Sequence, residues 1–169
     1  MNSAALLADA FDRVREIVHS TVTGLTPEEL AVRLDEEANS IGWLVWHLTR
    51  VQDDHVAGVA GTEQVWTAGG WADRFGLPFP PGAIGYGHSS AQVAQVWVKS
   101  AVLLTDYYDA VHEQTLHFVR GLRDEELDTV VDRSWDPPVT MAVRLVSVLS
   151  DDLQHAGQAA FMRGILSRR

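Results

Sequence analysis

An all-α four-helix bundle is the fold class this sequence predicts, and three observations predict it. Four long segments carry apolar residues at three- and four-residue steps, the spacing of one buried helical face. Polar cap residues open these segments, and glycines close the first three. No segment alternates apolar and polar residues with any persistence, so strands are not expected.

The first helix is expected from a cap at Asn2 or Ser3 to about Thr23, with Leu6, Leu7, Ala10, Phe11, Val14, Ile17, Val18 and Val22 on its apolar face. Gly24 stops it. Thr26-Pro-Glu-Glu then opens a short helical turn: threonine caps, proline suits the first helical position, and the acids face the positive dipole end. Asn39 or Ser40 caps a second long helix, about 40–60, whose apolar face holds Ile41, Leu44, Val45, Leu48, Val51, Val56 and Val59. Residues 61–88 differ: seven glycines, three prolines and the aromatics Trp66, Trp71, Phe75, Phe79 and Tyr86 show no sustained period. A connection this long, between the second and third long helices, is usually functional or mobile.

A third helix is expected from a cap at Ser89 or Ser90 to about residue 120, ended by Gly121. Gly121-Leu-x-x-Glu-Glu-Leu127 then echoes Gly24-Leu-x-x-Glu-Glu-Leu30, suggesting two similar halves. Pro137-Pro138 breaks the chain, and Thr140 caps a last helix over about 140–166.

At 169 residues the chain has the size of one domain, expected over 1–169, and can bury a core without disulfide or metal staples. It holds no cysteine, which excludes disulfides, thiolate-ligated zinc and a cysteine nucleophile. A net charge of −10, with Lys99 the sole lysine, argues against nucleic acid as a partner. With no basic segment ahead of a long apolar run, neither a signal peptide nor a membrane span is expected, and a cytoplasmic location is.

Asp151 and His155 lie one helical turn apart on the last helix, and residues four apart share a face. His47 lies about a hundred residues earlier, in a tryptophan-rich helix. If the fold joins these helices, two imidazoles and a carboxylate converge, a set that suits zinc, nickel, iron or manganese better than calcium or magnesium. Ser147 and Gln158 extend the stripe and could orient ligands or bind substrate. On periodicity alone, however, Arg144, Ser147, Asp151, His155 and Gln158 read as the solvated side of a helix whose apolar side is Leu145, Leu149, Leu153, Ala156 and Ala160. Asp152 reads as a solvent-facing charge. His55 is a rival ligand, nearer the centre of its apolar face than His47, and about 12 Å further along the helix.

His19, His112 and His117 read as structural or solvated, and His88 as lining a pocket entrance. Trp43, Trp46 and Trp97 are expected in the core. Trp66, Trp71 and Phe75 are better placed to line a site.

Asn39-Ser-Ile-Gly-Trp-Leu-Val-Trp-His-Leu-Thr-Arg-Val-Gln-Asp-Asp-His55, with Asp151-x-x-x-His-Ala-Gly-Gln158, resembles the DinB-like superfamily over nearly the whole chain. That superfamily includes YfiT-like hydrolases and the metal-binding domain of mycothiol-dependent maleylpyruvate isomerases. The resemblance implies an up-down-down-up bundle with a metal, commonly zinc or nickel, held by His47, Asp151 and His155. Many members have histidine where Asp151 stands; the aspartate is similar to the isomerase-type members. It further implies a small-molecule substrate, pairing into a homodimer, and S-transfer from a low-molecular-weight thiol such as mycothiol. Borrowed thiol chemistry suits a chain without cysteine. Without the isomerases' second domain, maleylpyruvate isomerase activity is not expected. Two alternatives stand beside the transferase: a metal-dependent hydrolase using activated water, and a non-catalytic stress-related binding bundle.

Overall fold

Four long helices form in the order the sequence predicts. The computed structural model describes residues 2–168. Helix α1 spans Ser3–Val22, with the Asn2 side chain accepting from the Ala5 N–H at 2.9 Å. Its buried face is Ala4, Ala8, Phe11, Val14, Val18 and Val22, whereas Leu6 is exposed. Helix α2, Pro27–Ala31, is a single turn held by a capping box between Thr26 and Glu29. Helix α3, Ile41–Ala60, is capped by Ser40 and stopped by Gly61 in the left-handed conformation.

The 61–88 segment is more ordered than its composition suggests. It contains two short helices, α4 (Val65–Ala68) and α5 (Trp71–Phe75), and it buries Trp66, Trp71 and Phe75 in the main core cluster.

The predicted third helix is interrupted. A five-residue helix α6, Ser90–Ala94, is followed by a break, and the long helix α7 starts only at Ala101, with Ser100 as its cap, and ends at Gly121. Val96 and Val98 are buried while Trp97 and Lys99 point outward. That alternation is extended backbone, so Trp97 is not a core residue. The apolar pattern misleads because β-branched residues suit either period.

A short hairpin, β1 (Val130–Asp132) with β2 (Val139–Thr140), follows a 3-10 turn at Asp124–Asp128. It is too brief to show strand periodicity in the sequence. Helix α8, Met141–Leu166, is capped by Thr140.

Helix α1 packs on α7 and α8, and α3 packs on the same two from across the bundle. Asp12–His112 and His19–Asp109 pairs set α1 antiparallel to α7. Ala8 and Phe11 cluster with Met141 and Leu145, and Thr21 meets Arg163, so α1 and α8 run parallel. The long helices therefore run up, down, down and up. No described helix is long and apolar enough to cross a membrane.

Candidate metal centre

Helix α3 is buried on all sides from Ile41 to Asp53, and His47 is only 4% exposed. An imidazole in such a place needs a partner. Its Nδ1 meets the carbonyl oxygen of Ile84, in the 61–88 segment. A carbonyl only accepts, so Nδ1 carries the proton and Nε2 keeps its lone pair. The chain can pass this close only because the next residue is glycine. A Cβ at Gly85 would lie 2.7 Å from His47 Nδ1 and 3.0 Å from a ring carbon of Trp46. Its φ of +90° is also one that side-chain-bearing residues rarely adopt.

Helix α8 supplies the other two groups. His155 Nδ1 lies 3.0 Å from Gln158 Oε1, again an acceptor, which leaves Nε2 free. That Nε2 is 3.6 Å from Asp151 Oδ1, and Asp151 Oδ2 is buried without a hydrogen-bond partner. One potential ligand atom from each of His47, Asp151 and His155 lies within 4.8 Å of the others. The two imidazole rings are 4.9 Å apart at 68°.

Two lone pairs with fixed tautomers, beside an unpartnered buried carboxylate oxygen, match what a three-ligand divalent-metal site requires. Burial holds His47 below its ordinary pKa, opposed by the Ile84 carbonyl and the Asp151 charge. A neutral imidazole is the form that can ligate.

Aromatic groups wall this site. The Trp43 ring stacks on His47 at 4.5 Å and meets His155 edge-on at 6.1 Å. Its indole N–H donates to His88 Nδ1 at 3.2 Å, which ties His88 to the site's edge. Burial keeps His88 below its usual pKa as well.

A charged pair inside the bundle holds the 61–88 segment in place. Arg50, fully buried, donates from Nε to the Ala83 carbonyl at 3.2 Å, one residue before the Ile84 that meets His47. It also donates to Gln64 Oε1 at 3.0 Å and lies 4.9 Å above the Trp66 ring. Asp53 accepts from the Val65 and Trp66 N–H groups and from the Tyr107 hydroxyl, each at 2.8 Å. Burial raises the Asp53 pKa, while these donors and Arg50 oppose the rise.

Of the remaining candidates, Gln158 contacts the triad directly. His55 is half-buried, with Nδ1 3.4 Å from Asp54, and does not join His47, Asp151 and His155. Ser147 is exposed and donates to Val143 within its own helix. Trp66 and Trp71 pack on Tyr107, at 5.1 and 5.4 Å, as core. His112 is buried and paired with Asp12.

Asp152 reverses its expected role. It is fully buried, while Leu153 is 44% exposed, because the core-facing side of α8 is Leu145, Val148, Asp152, Ala156 and Ala159. The stripe of Asp151 and His155 therefore borders the core.

Sequence reasoning missed Trp43 as a site wall, and it missed Ile84, Gly85, Arg50 and Asp53 altogether. Arg50 and Asp53 carry a readable signal: two opposite charges three residues apart in a helix rich in tryptophan, leucine and valine.

A crystal structure titled "conserved protein of locus from Enterococcus faecalis" superposes on the chain with a TM-score of 0.92 at 30% identity, covering 100% of this chain and 99% of that one. No curated protein matches the chain. The mycothiol-S-transferase family is matched by residues 6–167, nearly the whole chain. The protein therefore belongs to the mycothiol-S-transferase family, a DinB-like family, and its bundle agrees with the resemblance carried by the Asn39–His55 and Asp151–Gln158 segments.

Proposed function

We propose that the protein is a metal-dependent S-transferase that joins a mycothiol-type thiol to a small electrophile, with His47, Asp151 and His155 as ligands of a zinc or nickel ion. One observation carries this reading: the three side chains converge, both imidazoles are fixed by acceptors on Nδ1, and Asp151 Oδ2 is buried without a partner. The family supplies the reaction class. A divalent ion bound here acts as a Lewis acid toward a thiol, favouring its deprotonated, nucleophilic form at neutral pH.

The protein's own groups do the rest. Ile84 and Gln158 aim the two imidazoles, so the donor set keeps its shape without ligand. Trp43, stacked on His47 and edge-on to His155, covers one side of the triad. In the transfer, sulfur forms a bond to the electrophilic carbon, the leaving group departs with the bonding pair, and the thiol proton passes to solvent. A cytoplasmic location fits a reaction that consumes a reduced thiol.

Metal analysis of the purified protein tests the site first. One equivalent of a transition metal is expected, and the double variant His47→Ala/His155→Ala should retain less than a tenth of it. Unchanged metal content in that variant overturns the ligand assignment. Conjugation of an electrophile should then require added mycothiol, and thiol-independent turnover would refute the transferase reading.

A further inference from the structure

The polar stripe of α8 does not stop at the triad. Arg144 lies seven residues before Asp151, on the same face, and about 10 Å along the helix. On α3, Asp54 and His55 follow His47 by seven and eight residues. Because α3 and α8 run antiparallel, these groups meet again two turns from the triad. There they line a cleft of about 540 Å³, together with Gly58 and with Asp132 from β1. That volume lies within the range of about 300–1,000 Å³ typical of small-molecule sites.

The groups in this cleft are polar, mixed in sign and only partly committed. Arg144 donates to Asp132 at 2.9 Å, which leaves further N–H groups of its guanidinium. Asp54 accepts from Gln64 Nε2 at 2.7 Å, and His55 Nε2 has no protein partner among the described residues. Burial and the Arg144 charge hold the His55 imidazole below its ordinary range, so its ring can both donate and accept. Two carboxylates against one guanidinium disfavour an anion. Alternating donors and acceptors suit hydroxyl groups, each of which both donates and accepts.

A larger cleft of about 610 Å³, lined by Arg15, Asp109, His112 and Arg120, is a weaker candidate. Arg15 is spent on a bidentate contact to Asp109 and His112 on Asp12, and no residue of α3 or α8 lines it.

We propose that the cleft formed by Asp54, His55, Asp132 and Arg144 is the subsite for the polyhydroxylated ring portion of the thiol substrate. This rests on the transferase reading. In a mycothiol-type thiol the sulfur sits on a cysteinyl arm, and that arm is joined to an amino-sugar linked to an inositol. With the sulfur at the triad, the ring pair extends along the α3–α8 seam into the cleft. His55 and Arg144 then act by binding, away from the reacting atoms.

The decisive measurement is calorimetric binding of the thiol-free pseudodisaccharide, glucosaminyl-inositol, to the metal-loaded protein. Three variants are compared with the parent: His55→Ala, Arg144→Ala and Gly58→Leu. Gly58 lies within α3, and a Cβ added there meets nothing within 4 Å, so leucine fills the cleft without disturbing the helix. Each variant should retain the metal and bind the pseudodisaccharide at least tenfold more weakly. Arg144→Ala also breaks the Asp132 pair; if it fails to fold, Gly58→Leu and His55→Ala decide. Undiminished binding in those two overturns the subsite. So does a parent protein that binds intact mycothiol but not the pseudodisaccharide. If the parent neither binds nor turns over mycothiol, both the subsite and the transferase reading fall.

Discussion

The two helices that form the triad each bury a carboxylate, and they treat it in opposite ways. Asp53 on α3 accepts two backbone N–H groups and a tyrosine hydroxyl, with the Arg50 guanidinium 3.5 Å away. Asp152 on α8 is equally buried, yet neither of its oxygens has a hydrogen-bond partner in the protein. Burial and the neighbouring Asp151 charge push Asp152 well above the usual carboxylate range, toward the neutral acid. Burial alone therefore does not say what an acid does. Asp53 is the anchor of a segment that reaches the triad, whereas Asp152 is a tolerated passenger of a helix whose neighbouring residue faces the site.

The same substitution at both positions puts this contrast to a direct test, and Asp53→Leu should give the larger effect. It strands the buried Arg50 and orphans the Val65 and Trp66 N–H groups. Removing one partner of a buried ion pair costs about 3–5 kcal/mol. Urea unfolding of the metal-free protein should show a loss of that size. Arg50→Met should cost a similar amount and should also free Ala83, and with it the Ile84 contact to His47. Metal affinity should then fall about 10- to 100-fold, as it does when the group orienting a ligand is lost. A loss under about 1 kcal/mol in Asp53→Leu would remove the anchoring role.

Gly85 separates the anchor from what it holds. Alanine there incurs backbone strain of about 1–3 kcal/mol and drives a methyl group into His47 Nδ1. Gly87→Ala is the control, because its φ of +73° carries the same kind of strain while the added Cβ meets nothing within 4 Å. Gly85→Ala should lose more stability than Gly87→Ala by thermal unfolding, because only its methyl meets other atoms, and only Gly85→Ala should lose metal affinity, by about tenfold or more. Equal affinity in the two would mean that the segment does not position His47.

The contrast also explains how much could be read from the sequence. The caps at Asn2, Thr26, Ser40 and Thr140 are local signals and lie where expected. Helix periodicity points to the bundle; spacing puts Asp151 and His155 on one face, and the DinB-like resemblance is what favours them as ligands over a solvated stripe. The misplaced parts depend on long-range contacts. The Val96–Val98 stretch is extended because it packs on the start of α3, where Val98 approaches Gly42. Asp152 reads as solvated on a wheel centred on Leu145, Leu149 and Leu153, but the buried face is turned toward Val148 and Ala159, which brings Asp152 inside. Ile84 and Gly85 carry no side-chain signal for a role that lies in a carbonyl oxygen and a missing Cβ. Such roles become visible only once the 61–88 segment is seen lying against α3.

The smallest effect belongs to Asp152→Leu. A carboxyl buried without a partner costs about 1–3 kcal/mol relative to a well-packed apolar group. Leucine has nearly the same shape and needs no partner, so unfolding stability should stay level or rise by up to that amount. Asp152→Asn retains the polar burial without the titrating proton and should fall close to the parent protein. Metal content should be unchanged in both, since Asp151 and His155 keep their own contacts. If Asp152→Leu instead loses more than about 2 kcal/mol, Asp152 has a structural role comparable to that of Asp53. The contrast between the two carboxylates would then be one of partner identity, with each holding something the fold needs.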